Sequence, residues 1–130
     1  MPAPADTAPK GELTLRTLAM PRDANTNGDI FGGWVLSQMD MAAGIVAGAR
    51  AHGRVATVAI DAMKFIRPVK VGDVLCIYVT LARVGRTSMA MDIEAWVLRG
   101  RQDMREKVTE ALFTFVAIDE AGQPRVVPPA

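Results

Sequence analysis

The stretch Glu12-Leu13-Thr14-Leu15-Arg16-Thr17-Leu18 alternates polar and apolar positions, the period-two pattern of a half-buried strand. Pro21 interrupts it, and the loop that follows to Phe31 is crowded with Asn, Asp and Gly. Over residues 32–50 the pattern predicts a helix. Trp34, Val35, Leu36, Met39, Met41, Ile45 and Val46 surround most of its circumference, and Gly53 marks a stop. Four more segments, residues 54–66, 73–84, 87–98 and 107–118, are rich in Val, Ile, Leu, Met or Phe and read as strands. Turn signals at 68–72, at Gly85-Arg86 and at 100–103 separate them, and connections that short favour antiparallel neighbours over crossovers. The order β-α-β-β-β-β predicts an α+β fold, one long central helix wrapped by a five-stranded antiparallel sheet.

Two features of this pattern ask for more than one chain. A helix apolar on all sides is buried on all sides, and one curled sheet covers only part of it. In residues 73–84 both alternating sets, Val74/Cys76/Tyr78 and Leu75/Ile77/Val79/Leu81, are largely apolar, whereas a sheet with one wet face shows a cleaner alternation. A second copy arranged about a two-fold axis is the simplest cover. A monomer with merely hydrophobic strands is the alternative.

Length bounds the chain to one domain: 130 residues, expected as a flexible tail over 1–11, a folded unit over 12–120 and a Pro-rich tail over 121–130. A formal net charge of +1 sets up no global field toward nucleic acid or an anionic membrane. The Pro/Ala-rich start lacks the basic and apolar regions of a signal peptide, and the longest apolar stretch, residues 41–49, is far short of the roughly 20 a membrane span needs. Cys76 is the only cysteine, which excludes an internal disulfide and fits a reducing, cytoplasmic setting.

One residue stands out against this background. At about 100° per residue, Gly33, Ser37, Asp40, Gly44 and Ala47 share one side of the helix, and all are small except Asp40. Asp40 lies about two turns inside, too far for capping or for the helix dipole. An unpaired buried carboxylate costs several kcal/mol, so Asp40 either forms a structural ion pair or does chemistry. Upstream, Gly28, Gly32 and Gly33 leave backbone amides uncovered, and the last two begin the helix, where N–H groups lack intrahelical partners. Amide donors together with a carboxylate suit a carbonyl that gains negative charge, as in acyl transfer, although Gly-Gly at a helix start also suits plain close packing.

The motifs then point to a family. The stretches Leu15-Arg16-Thr17-Leu18-Ala19-Met20-Pro21, Asn25-Thr26-Asn27-Gly28-Asp29-Ile30-Phe31-Gly32-Gly33-Trp34, Ser37-Gln38-Met39-Asp40 and His52-Gly53-Arg54-Val55 resemble the hotdog-fold acyl-CoA thioesterases, in particular their YciA-like bacterial branch. Phe65-Ile66-Arg67-Pro68, Val71-Gly72-Asp73, Val84-Gly85-Arg86-Thr87-Ser88 and Phe113-Thr114-Phe115-Val116-Ala117 extend the likeness over residues 12 to 120 in the family's order.

The resemblance implies a hotdog dimer, in some members a trimer of dimers, with active sites at the dimer interface. It implies hydrolysis of an acyl-coenzyme A thioester to free acid and coenzyme A, with no metal or other cofactor and no nucleic-acid or membrane partner. The family's acidic residue falls on Asp40 and its loop asparagine on Asn25, contributed from opposite subunits. On that reading Gly32 or Gly33 N–H polarises the carbonyl, Asn25 orients water or carbonyl, and Asp40 is general base or nucleophile. Ser37 either bonds the carboxylate or satisfies its own backbone. Arg67 and Arg86 are candidates for the phosphates of coenzyme A, Thr87 and Ser88 for its pantetheine arm.

Trp34, Met39, Met63, Phe65, Met89 and Met91 are candidates for an acyl tunnel, though ordinary core packing explains most of them. One histidine and one cysteine leave no Cys/His metal cluster in one chain and little room for a nucleophile–histidine triad. Two rival readings are an acyl-thioester hydratase or dehydratase, which would favour a histidine where Phe31 stands, and a non-catalytic acyl-CoA-binding module.

Overall fold

The computed structural model describes residues 8–101 and 104–130, so most of the expected flexible tail over 1–11 lies outside the described residues. Seven elements follow the predicted order: β1 (Glu12–Leu18), a short 3-10 turn (Pro21–Asp23), α1 (Gly32–Ala51), β2 (Val55–Phe65), β3 (Val74–Val84), β4 (Ser88–Arg99) and β5 (Met104–Ala117). The strands form one antiparallel sheet in the order β1-β3-β4-β5-β2. The hotdog architecture follows: Leu75, Ile77, Met89, Met91, Ile93, Phe113 and Phe115 point from the sheet toward Val35, Met39, Ala42, Ala43 and Ala47 of the helix. Among the described residues, no helix is long and apolar enough to cross a membrane.

One expectation about neighbours fails. The short link over 68–72 implied that β2 and β3 pair, yet β2 pairs with β5 and β3 with β1 and β4. The link instead crosses the N-terminal end of the helix. Ile30 N donates to Val69 O at 2.9 Å, and the Lys70 ammonium pairs with Asp29. Residues 66–73, at about 3.3 Å each when extended, reach across two intervening strands. Consequently β1 and β2 are both sheet edges.

Helix termination also differs in detail. His52, not Gly53, takes the left-handed conformation (φ 54°), with His52 N bonded to Ala49 O at 3.4 Å and Gly53 N to Gly48 O at 3.2 Å, a Schellman closure. Gly53 leaves room for the Arg125 guanidinium, which a Cβ there would meet at 2.7 Å. Arg125 Nη2 donates to Ala51 O at 2.8 Å, Val127 N donates to Arg86 O at 2.8 Å, and Val127 is buried. Residues 125–128 therefore strap the C-terminal end of the helix.

Part of the outer sheet face is covered from within the chain. Cys76 stands opposite Trp96, and Trp96 opposite Lys107, so all three share one face. Trp96 is fully buried, its Nε1 donating to Glu94 Oε1 at 2.9 Å, while the Lys107 ammonium sits between Glu94 and Glu110. Burial pulls the Lys107 pKa down, but its bonds to the two glutamates outweigh that and leave it raised.

Several large apolar residues of the helix and of the β2 edge strand are exposed. Met41 and Ile45 on the helix are 51% and 57% exposed, and Val58, Ile60 and Phe65 on β2 are also exposed. A monomer rarely leaves such a set in water.

Candidate active site

Asp40 projects from the middle of α1 toward the β2 edge, where its Oδ1 accepts a hydrogen bond from Thr57 Oγ1 at 2.6 Å. The carboxylate is half-buried, and no arginine or lysine among the described residues pairs with it. The structural ion-pair reading therefore fails. Thr57 escaped the sequence reading, because nothing in its local pattern marks it and its partner lies on another element.

Ser37 does not serve Asp40: its Oγ donates to Trp34 O at 2.7 Å, the ordinary backbone return of a helical serine. Asn25 closes its own loop. Its Oδ1 accepts from Asn27 N at 2.9 Å and Asp29 N at 3.2 Å, which leaves the carboxamide NH2 as the part of the side chain not engaged in that turn. Gly28, at φ 85°, makes that turn possible.

Gly32 and Gly33 begin the helix after Phe31, which supplies no side-chain cap. Gly33 has open space where a Cβ would be, while a Cβ on Gly32 would lie 3.2 Å from Phe65 Cζ. Asp40 lies eight residues beyond Gly32, so the two are about 12 Å apart along the axis. That exceeds what one aspartate side chain spans. The Gly32 amide and the Asp40 carboxylate of one chain cannot meet on one carbonyl.

The remaining candidates separate to the two ends of the helix. At the N-terminal end, Gly32, Phe65 and Arg67 border a cavity of about 320 Å³ together with Ile30, Val35 and Val69. Arg67 is partly committed there, its Nε 3.1 Å from Glu106 Oε2 and its Nη1 3.0 Å from Lys107 O. Behind it, Asp73 is buried in a two-pronged pair with Arg99, at 2.9 and 2.7 Å, and accepts from Lys70 N at 2.8 Å. Its own hydrogen bonds to Asp73 hold the Arg99 pKa above its ordinary value. Pair and loop together fix the 66–70 segment that forms the cavity wall.

At the C-terminal end, Arg86, Thr87 and Ser88 form a turn held by Ala117 N to Thr87 O at 2.9 Å, Gly85 N to Ser88 O at 2.8 Å, and the strap. Arg86 is exposed and has no ion-pair partner among the described residues. Of the tunnel candidates, Met39, Met89 and Met91 are fully buried core, Trp34 and Met63 pack against it, and Phe65 lines the cavity.

A helix laid in a five-stranded antiparallel sheet, with a carboxylate in mid-helix beside an open edge, defines a hotdog-fold protein, and the chain belongs to the Thioesterase superfamily, whose family model matches residues 27–103. Within that superfamily it belongs to the YciA-like branch. The acyl-CoA thioester hydrolase YciA of Salmonella typhimurium is 53% identical over 126 residues, covering 95% of each chain. A hexameric thioesterase from Yersinia pestis superposes with a TM-score of 0.91 at 52% identity, over 95% of this chain and all of the other. An acyl-CoA hydrolase from Staphylococcus aureus, solved with butyryl coenzyme A and coenzyme A, gives a TM-score of 0.80 at 28% identity, over 88% of this chain and 70% of that one.

Proposed function

We propose that the protein hydrolyses acyl-coenzyme A thioesters to the free acid and coenzyme A, at sites shared between two copies of the chain. The observation that carries this reading is the mid-helix Asp40, half-buried and held by Thr57 at an apolar sheet edge, in a member of a thioesterase family. The roughly 12 Å separating Gly32 from Asp40 on one helix supports a two-copy site, since two antiparallel helices bring the Gly32 end of one beside the Asp40 of the other.

In such a site the Gly32 or Gly33 N–H donates to the carbonyl oxygen and stabilises it as negative charge develops. Asp40 of the facing copy supplies the oxygen base, and the Asn25 carboxamide orients the attacking group. Two routes satisfy the geometry. In one, Asp40 removes a proton from water, whose oxygen forms the new C–O bond as the C–S bond breaks; the departing thiolate takes the proton. In the other, the carboxylate itself attacks and expels the coenzyme A thiolate as the C–S bond breaks, giving a mixed anhydride. Water then opens it, restoring the carboxylate and releasing the acid, while the thiolate takes up the proton that water gives up. Neither route needs a cofactor.

The substrate's long arm accounts for the second cluster of candidates. Asp40 and the helix end at Ala51 are eleven residues apart, about 16 Å, a separation an extended phosphopantetheine arm spans. Arg86, at that end, is a free cation for phosphate, with Thr87 and Ser88 beside it. Assembly beyond the dimer, as a trimer of dimers, accords with the hexameric relatives, and a cytoplasmic location accords with a single buried thiol and a coenzyme A substrate.

The test is thiol release from acyl-coenzyme A, followed with a chromogenic disulfide. Asp40→Asn is expected to abolish it and Asn25→Ala to reduce it strongly, with heavy-oxygen labelling in a single turnover separating the two routes. Undiminished turnover by Asp40→Asn would remove that residue from the chemistry, and acyl-coenzyme A binding without thiol release would favour a binding module.

A further inference from the structure

We infer that the cavity beside Gly32 receives the acyl chain of the substrate, and that Phe65 and Ile66 set how long a chain it accepts; the inference rests on the thioester reading of the site. The cavity reaches the residue whose amide is assigned to the carbonyl oxygen: Gly32 is one of its lining residues. Whatever is bonded to a carbonyl held there enters this space on one side. The lining is chemically suited to hydrocarbon, since Ile30, Val35, Phe65, Ile66 and Val69 present only carbon.

Two charged side chains border the cavity, and both are occupied. Arg67 is bonded to Glu106 and to Lys107 O, and Asp29 to Lys70. Arg67, the one cation in this lining among the described residues, is thus already partly neutralised by Glu106. The free Arg86 lies at the opposite end of the helix, which assigns the phosphates there and the acyl group here. The cavity, of about 320 Å³, is open on one side, so a chain entering it can extend out past the rim.

Phe65 controls the space because Gly32 lets it. A Cβ on residue 32 would lie 3.2 Å from Cζ, so the glycine lets the tip of the ring pack tightly against the helix start. Phe65 ends β2, and the following Ile66 N donates to Val108 O at 2.7 Å, which fixes the pair against β5. Both side chains are half exposed and lie outside the buried core of the chain, and light scattering on each variant checks that assembly is kept.

The experiment measures kcat/KM for straight-chain acyl-coenzyme A substrates from acetyl to palmitoyl, in wild type, Phe65→Ala and Ile66→Trp. In parallel, it measures binding of the same series to each variant carrying Asp40→Asn. Phe65→Ala is expected to raise the ratio of long-chain to short-chain kcat/KM at least fivefold. Ile66→Trp is expected to lower that ratio by a similar factor, and the binding series should shift in the same directions. Chain-length profiles that stay parallel across the variants overturn the inference. So does a change of molar mass in light scattering with an unaltered profile, which would assign the cavity to a second copy. If wild type releases no thiol while the binding profiles still shift, the hydrolase reading fails and the cavity assignment stands.

Discussion

Asp40 shows how far a single residue can be read from its position alone. A carboxylate in the middle of an apolar helix is costly, and that cost singled it out, yet its partner was invisible. Thr57 sits seventeen residues away on an edge strand, and only the paired geometry of α1 and β2 joins the two. Its hydroxyl donates to the carboxylate, so it is a positioning residue. Thr57→Val is expected to lower kcat between about 10- and 100-fold with little change in KM, and Thr57→Ser to recover most of the loss. An equal loss in both variants would indicate packing and not orientation. The two helix-start glycines stood out, as Asp40 did, by breaking the local pattern around them, whereas Asn25 was singled out only through the family resemblance. Ser37 was ambiguous, and the short bond to Trp34 O decides against a role at the carboxylate.

At the scale of elements, the alternation of residues and the turn signals located all five strands and the helix to within a few residues. The pairing of those strands was less accessible. Sequence spacing favours neighbours, but the link between β2 and β3 is diverted over the helix start by Ile30–Val69 and Asp29–Lys70 contacts, which no local pattern encodes. The same holds for the Asp73–Arg99 pair, whose members are twenty-six residues apart and tie the start of β3 to the end of β4. Asp73 is almost wholly buried, and removing its charge leaves the Arg99 guanidinium with Glu106 as its one remaining carboxylate partner among the described residues. Asp73→Ala is expected to destabilise the fold by about 3 kcal/mol, at the lower end for a buried pair because Arg99 is one-third exposed. Thermal melting at fixed protein concentration reads the loss. Adding Arg99→Met should return part of it, and a single-variant change under about 0.5 kcal/mol would show the pair to be idle.

Across the whole molecule, the exposed Met41, Ile45, Val58 and Ile60 and the axial gap between Gly32 and Asp40 lead to the same arrangement, a site no single copy completes. Complementation tests it directly. Asp40→Asn and Asn25→Ala are each expected to be nearly inactive. When they are co-expressed and mix at random, half the dimers are hybrid and each hybrid carries one undamaged site, so about a quarter of wild-type activity should return. No recovery, in hybrids verified by mass spectrometry, would mean that both residues act within one chain. The sequence had signalled a missing cover through its all-round apolar helix, though part of the apolar outer sheet face turned out to be roofed by Trp96 and Lys107 of the same chain.

The burial of Cys76, at 2% exposure and bonded to Val74 O, has a practical side. A sulfhydryl sealed inside a strand is silent toward disulfide dyes while the native state persists, so colour developed in a turnover measurement reports coenzyme A alone. Once denaturant opens the sheet, each polypeptide yields one equivalent of dye. The same reagent thereby counts both product made and protein lost.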